Sequence, residues 1–169
     1  MKTKTGNNQG LHQIFYHNDR LSAWQRGENP PPIFVELSPT SFCNHNCPFC
    51  FTEWLRKKPR QIEGSLLIRI FQDMPLFGVR CCEVQGAGEP FMNNSLPEAI
   101  ESGHELGLEI CIVTNGTVCQ KKILEFVLPN IAYFKVSSME ANAKHYSKTH
   151  GCDEKDYSKL KRIAESLKL

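Results

Sequence analysis

The chain lacks the features that would place it in a membrane, outside the cell or on a polyanion. Its 169 residues contain no apolar run near the roughly 20 residues of a membrane span, and no apolar segment follows the lysines at its start. The net charge is only +2, so the composition gives no reason to expect a nucleic-acid partner. Without an export signal, the eight cysteines are expected to be reduced thiols in the cytoplasm.

Three of the eight cysteines are crowded into one short segment, SFCNHNCPFCF at 41–51. Cys43, Cys47 and Cys50 have the spacing C-x3-C-x2-C, and no fourth cysteine lies close to them in sequence. Three of the others lie in apolar, strand-like runs, where thiols act as small buried hydrophobes: Cys81, Cys82 and Cys111. Cys119 and Cys152 stand alone. Only the first three have the pattern of a metal-binding group.

Two metal centres fit this pattern. A 4Fe–4S cluster has four irons, so three thiolates bind three of them and leave one iron open, which is a feature of catalytic metals. A structural zinc site would use Cys47 and Cys50 as half of a knuckle, but the chain has no second C-x2-C. Cys43 with His45, or Cys81, would complete that zinc site poorly, so the pattern favours the cluster.

Strand-like and helix-like segments alternate four times along the chain. The predicted strands are 33–37, 79–84, 108–113 and 131–136, and the helices after them are 65–74, 96–107, 120–128 and 156–167. Apolar strands separated by helices predict an α/β fold in which helices cover a parallel sheet. A lead with a short helix occupies residues 1–32, and the predicted domain is 33–169.

Each predicted strand is followed by a segment of small, polar or metal-binding residues. These segments are the cysteine segment, QGAGEP (85–90), TNGT (114–117) and SSMEA (137–141). Because chemistry in such folds takes place at the carboxyl ends of the strands, we expect the four segments to meet at one edge of the sheet.

The pattern C-x3-C-x-Phe-C after a first strand, with Phe49 before the last cysteine, resembles the signature of the radical S-adenosylmethionine (radical SAM) superfamily. The likeness runs from about Trp24 to the C-terminus. It implies an enzyme in which Cys43, Cys47 and Cys50 bind a 4Fe–4S cluster and S-adenosyl-L-methionine occupies the open iron. One electron would then cleave the sulfonium, and the resulting 5′-deoxyadenosyl radical would abstract hydrogen from a substrate.

The segments after the other strands resemble the same superfamily. GAGEP is similar to the Gly-Gly-Glu-Pro segment that receives the methionyl amine, with Ala87 at its first glycine, and VTNGT and VSSMEA resemble the segments after strands three and four. The resemblance implies cofactor contacts at these positions: Phe49, Gly86, Gly88, Glu89, Asn115 and Ser137. Met139 stands where the superfamily often has an aspartate, and Glu140 follows it.

The superfamily barrel has six strand–helix units, whereas this sequence predicts four. We therefore expect a partial (β/α) TIM-type barrel, truncated, with a missing C-terminal half or a partner to complete it. The substrate is unknown, and the resemblance implies a reductant such as flavodoxin or ferredoxin. The alternatives are a non-catalytic, truncated half-barrel and a cytosolic zinc-binding module.

Two further segments are interpreted as lying outside the site. YSKTHG (146–151) is expected to be the loop before the last helix, with His145 and His150 as loop or capping residues. RKKPR (56–60) is interpreted as a solvated loop rather than as a site for nucleic acid or an anionic substrate.

Overall fold

The fold is taken from a computed structural model that describes residues 16–119 and 121–166. The chain divides into two compact units, Met1–Pro32 and Ile33–Leu169. Helix α1, Asn18–Gln25, lies in the first unit. Within the described ranges, every helix is too short or too polar to cross a membrane.

The second unit is built on a four-stranded parallel sheet with the order β1-β2-β3-β4. Its strands are β1 (Phe34–Leu37), β2 (Cys81–Val84), β3 (Glu109–Thr114) and β4 (Tyr133–Val136). Its helices are α2 (Gly64–Leu76), α3 (Leu96–Glu105), α4 (Lys121–Val127), α5 (Ala143–His150) and α6 (Glu154–Ser166). The predicted α/β fold with four parallel strands is confirmed.

The apolar core lies on one face of the sheet. Cys82 pairs in register with Ile110, and both side chains are fully buried on this face. Side chains in a strand alternate between the two faces, so every second residue of a strand faces this core. Helices α2 and α3 contribute Leu67, Phe71, Leu96 and Ile100, all fully buried. Gly103 allows the two helices to approach closely, since a Cβ there would lie 3.0 Å from a ring carbon of Phe71.

The opposite face of the sheet is less apolar. Cys81 and Cys111 lie on this face with their sulfur atoms 3.9 Å apart, and both are half-buried. The expectation that they act as buried hydrophobes is therefore wrong for these two residues, although Cys82 on the covered face is fully buried. The reason is the two-residue period of a strand, which separates adjacent cysteines onto different faces.

The prediction of a loop at 146–151 is wrong, because helix α5 spans Ala143–His150. The Asn142 side chain accepts a hydrogen bond from the His145 backbone N–H at 3.0 Å and caps the first turn. Gly151, with φ of +58°, ends the helix in the left-handed conformation. These capping signals were present in the sequence, but the helix is polar and its periodicity is weak.

Candidate metal and cofactor site

The cysteine segment forms a closed loop at the carboxyl end of β1. The two ends of the loop are joined by an antiparallel bridge between Thr40 and Gln61. The Ser41 backbone N–H also donates to the carbonyl of Arg60 at 2.8 Å. The cysteines therefore lie on a loop whose two ends are held together, which limits how far they can move apart.

The three thiols of this loop are half-buried and lie close enough for their charges to interact. Burial raises the pKa of Cys43 and of Cys47 above the ordinary value, and the neighbouring Cys50 thiol raises both further. The Arg56 guanidinium partly offsets these effects on the pKa values. A cation beside the thiols favours their deprotonated form, which is the form that binds metal.

The three thiols do not converge on one point. Among the described residues, two groups have ligand atoms that all lie within 4.8 Å of one another, and neither group contains Cys43 or Cys50. A tetrahedral zinc ion with Zn–S bonds of about 2.3 Å would bring its sulfur ligands to about 3.8 Å from one another. At least one pair of the three cysteine sulfur atoms is therefore more than 4.8 Å apart, which is wider than the spacing around a single zinc ion.

The segment after β2 packs tightly against the cysteine loop. A Cβ on Gly88 would lie 2.2 Å from the carbonyl oxygen of Phe42, so only glycine allows this approach. The next residue, Glu89, donates its backbone N–H to the same oxygen at 2.8 Å. Gly86 has φ of +128° and lies against Ser38, whose hydroxyl accepts from the Ala87 N–H at 3.1 Å.

Glu89 connects the segment after β2 to the end of β3. The carboxylate is buried and accepts from the Thr114 hydroxyl at 2.5 Å, the Asn115 N–H at 2.7 Å and the Phe91 N–H at 3.3 Å. Burial raises the pKa of Glu89, and the three donors oppose that rise. The carboxylate thus already has partners within the protein at both oxygens.

Asn115 connects the segment after β3 to the cysteine loop. Its side-chain amide donates to the Asn44 side-chain oxygen at 2.8 Å, and its own oxygen accepts from the Thr117 N–H at 2.9 Å. Asn44 in turn donates to the Thr117 hydroxyl at 2.8 Å. These hydrogen bonds connect the segment between Cys43 and Cys47 to the segment that follows β3.

Ser137 lies at the same edge, directly after β4. Its backbone N–H donates to the carbonyl of Thr114 at 2.8 Å and continues the β3–β4 pairing. Glu140 faces the end of α5, where it accepts from the Thr149 hydroxyl at 2.9 Å. The structure therefore places Cys43, Cys47, Cys50 and all the predicted cofactor-binding residues on the segments of this one edge.

Two buried histidines also belong to this region, although the sequence prediction left His150 outside the site. The His150 ring nitrogen Nδ1 lies 3.7 Å from the Cys47 sulfur. His45 lies near both residues, with its ring centroid 5.7 Å from that of His150, and is held through Nε2 by Asp156 at 3.5 Å and the Thr117 hydroxyl at 3.2 Å. Burial lowers the pKa of both histidines, more than the nearby carboxylates raise it.

Periodicity and motif could not reveal the contact of His150 with Cys47. The two residues are 103 positions apart, and the packing of α5 against the cysteine loop brings them together. Arg56 also differs from its interpretation as part of a solvated loop. It is half-buried and donates to the carbonyl of His45 at 3.2 Å, whereas Lys57 and Lys58 of the same segment are exposed, as the solvated-loop interpretation expects.

Together, the fold and the site define a parallel α/β protein with a three-thiol loop at the carboxyl edge of its sheet. The family model described as "Radical SAM superfamily" matches residues 37–168. The chain therefore belongs to the radical SAM superfamily, whose members generally bind a 4Fe–4S cluster and S-adenosylmethionine.

Two curated enzymes are similar to the chain over part of their length. An S-adenosylmethionine-dependent nucleotide dehydratase from Fibrobacter sp. (strain UWH6) is 28% identical over 109 residues, which are 60% of this chain and 31% of the relative. A GTP 3',8-cyclase from Chlorobaculum tepidum is 32% identical over 95 residues, which are 53% of this chain and 28% of the relative. The aligned parts thus span about a third of the length of these relatives.

A solved structure supports the same fold over nearly the whole chain. SuiB from Streptococcus suis bound to S-adenosylmethionine has a TM-score of 0.66 and 17% identity, and the match covers 98% of this chain and 38% of SuiB. SuiB bound to its precursor peptide SuiA gives a TM-score of 0.69 at 18% identity, with 96% and 38% covered. The four-strand sheet therefore corresponds to part of a radical SAM TIM-type barrel.

Proposed function

We propose that residues 33–169 are the amino-terminal part of a radical SAM core, in which Cys43, Cys47 and Cys50 bind one 4Fe–4S cluster. The observation that carries this proposal is the arrangement of the three thiols. They share one closed loop, the Cys50 thiol raises the pKa of Cys43 and of Cys47, and the three sulfur atoms do not all lie within 4.8 Å of one another. Three thiolates leave one iron of such a cluster open for a small ligand.

We propose further that S-adenosylmethionine binds at this edge of the sheet. A cluster held by Cys43, Cys47 and Cys50 would supply the electron for reductive cleavage of the sulfonium to methionine and a 5′-deoxyadenosyl radical, the species that would abstract hydrogen from the substrate. Phe49 is half exposed next to Cys50 and offers an aromatic face. Gly86 and Gly88 would contact the cofactor through their backbone, on a segment that packs against Ser38 and Phe42 because these glycines lack Cβ atoms. Asn115 and Ser137 line the neighbouring segments.

In this proposal, Glu89 supports the cofactor site and does not form a direct ion pair with the cofactor amine. Both of its oxygens accept hydrogen bonds from the protein, from Thr114, Asn115 and Phe91. Its contribution to cofactor binding is then to hold Gly86–Gly88 and Asn115 in a fixed relation. Rigid support of this kind is what keeps a binding site at its productive geometry.

The reaction requires an electron from outside the chain. We propose a small reductant such as flavodoxin or ferredoxin, in a reducing, cytoplasmic setting that suits eight free thiols. The substrate is left open, because the two enzymes named above act on nucleotides whereas SuiB binds a peptide. Further strands, from a partner or from a missing C-terminal half, would pair with the open edge of β4 and complete the barrel.

The first experiment is metal analysis of anaerobically purified protein, with single cysteine-to-alanine variants. About four irons and four sulfides per chain, with the broad visible absorbance of an iron–sulfur cluster, are expected. Cys47→Ala should lose most of the iron, and Cys111→Ala, a matched control on the sheet, should keep it. Full iron in the Cys47 variant would contradict the assignment of the ligands.

A zinc-binding module is the second candidate, because His45, Cys47 and His150 have ligand atoms within 4.8 Å of one another. That arrangement would leave Cys43 and Cys50 without a role, which is why we prefer the cluster. One zinc per chain without iron would support the zinc module. A cluster-containing protein that forms no 5′-deoxyadenosine from S-adenosylmethionine and dithionite would support the non-catalytic half-barrel.

A further inference from the structure

The carboxyl end of helix α5 is fastened to the middle of the cysteine loop. The Asn46 backbone N–H points to the carbonyls of His150, at 3.2 Å, and Gly151, at 3.3 Å. Gly151 lies so close that a Cβ there would be 2.1 Å from the carbonyl oxygen of Asn46. The end of α5 therefore has one fixed position beside Cys47.

The ring of His150 is held in place by aromatic neighbours. It is only 2% exposed, it stacks on Tyr146 with ring centroids 4.2 Å apart and planes at 25°, and Phe49 meets it edge-on at 6.0 Å. Stacked and edge-on contacts of this kind favour a single ring orientation. The orientation of the ring directs Nδ1 toward Cys47.

The tautomer of His150 follows from its surroundings. Nδ1 lies 3.7 Å from the Cys47 sulfur, whereas Nε2 is buried and has no hydrogen-bond partner among the described residues. A neutral imidazole carries one N–H, and a buried N–H without an acceptor is costly. The proton is therefore expected on Nδ1, where the sulfur accepts it.

From this geometry we infer that His150 donates an Nδ1–H hydrogen bond to the Cys47 sulfur when that sulfur binds the cluster, and so raises the cluster's reduction potential. Reduction adds negative charge to the cluster and its sulfur ligands, and a donor to sulfur stabilises the reduced state more than the oxidised state. His150 is then a positioning and tuning residue, not a ligand. The inference rests on the cluster of the proposed function.

The experiment compares three variants of the cluster-loaded protein by anaerobic redox titration. His150→Phe keeps a ring to stack on Tyr146 but has no donor, and His150→Asn places an amide N–H near the position of Nδ1. His145→Phe is the matched control, because His145 is exposed on the same helix. We expect a lower reduction potential for His150→Phe at unchanged iron and sulfide, a potential near wild type for His150→Asn, and no change for His145→Phe.

An unchanged potential in His150→Phe, or an equal shift in both His150 variants, would overturn the inference. Should His150→Phe fail to assemble a cluster, the wild-type protein provides the test through histidine labelled with 15N at Nδ1 only. The reduced cluster is expected to show a hyperfine coupling to this nitrogen that His150→Asn lacks, and no coupling would refute the hydrogen bond. A wild-type protein without any cluster would instead refute the proposed function.

Discussion

The covered face of the sheet and its carboxyl edge are both buried, but they are buried in different ways. The covered face is apolar, with Leu67, Phe71 and Ile110 fully inaccessible. The carboxyl edge buries Glu89, Thr114 and His45, each of which has a hydrogen-bond partner on another segment. Apolar burial contributes stability without direction, whereas buried polar groups require specific partners and therefore specify how the segments are arranged.

The edge also retains polar atoms that the protein itself does not satisfy. Among the described residues, four buried side-chain atoms have no hydrogen-bond partner: His45 Nδ1, Arg56 Nη2, Tyr146 Oη and His150 Nε2. His45 lies in the cysteine loop, Arg56 contacts it, and the other two form the stacked pair beside it. Such atoms cost stability, so their concentration at one edge fits a region shaped for binding rather than for stability.

The largest expected effect comes from the covered face. Phe71→Ala removes a fully buried ring between α2 and α3 and should lower the free energy of unfolding by about 3–5 kcal/mol. The molecules that remain folded should still bind iron normally, because the ring packs in the core against Gly103. Denaturant unfolding and iron content per folded chain measure the two effects. A loss of iron greater than the loss of folded protein would contradict this separation.

A smaller loss of stability, with a larger loss of function, is expected at the edge. Gly88→Ala introduces a Cβ 2.2 Å from the carbonyl of Phe42, so the segment after β2 must move away from the cysteine loop. We expect a cost of about 1–3 kcal/mol and reduced binding of S-adenosylmethionine, measured by equilibrium dialysis. Gly107→Ala is the control. Its Cβ would meet nothing within 4 Å, so it should lose about 1 kcal/mol from its left-handed backbone and bind normally.

The smallest of the three effects is expected at Glu89. Glu89→Gln keeps the size of the side chain but replaces one acceptor oxygen with an N–H₂ group. That group faces the hydroxyl of Thr114 or the backbone N–H of Asn115. We expect a loss of about 1–2 kcal/mol in unfolding free energy. Measurable weakening of S-adenosylmethionine binding should accompany it, and binding equal to wild type would argue against the positioning role.

The sequence predicted the elements that have a regular period or a local motif. The four strands, the helices between them and the cysteine loop all follow from apolar periodicity, Gly and Pro positions, or cysteine spacing. Helix α5 was missed because its residues are polar, although Asn142 and Gly151 were available as capping signals. The assignment of metal ligands and cofactor contacts stays a prediction until the iron and binding measurements are made.

By itself, the sequence determined the parallel α/β fold, the order of its units and the grouping of three thiols, because these depend on residues near one another along the chain. Only the tertiary structure decided that both oxygens of Glu89 face the end of β3, that Arg56 contacts the cysteine loop, and that His150 lies beside Cys47. Such contacts join residues up to 103 positions apart. Their geometry depends on how the helices pack on the sheet, and no local pattern in the sequence encodes that packing.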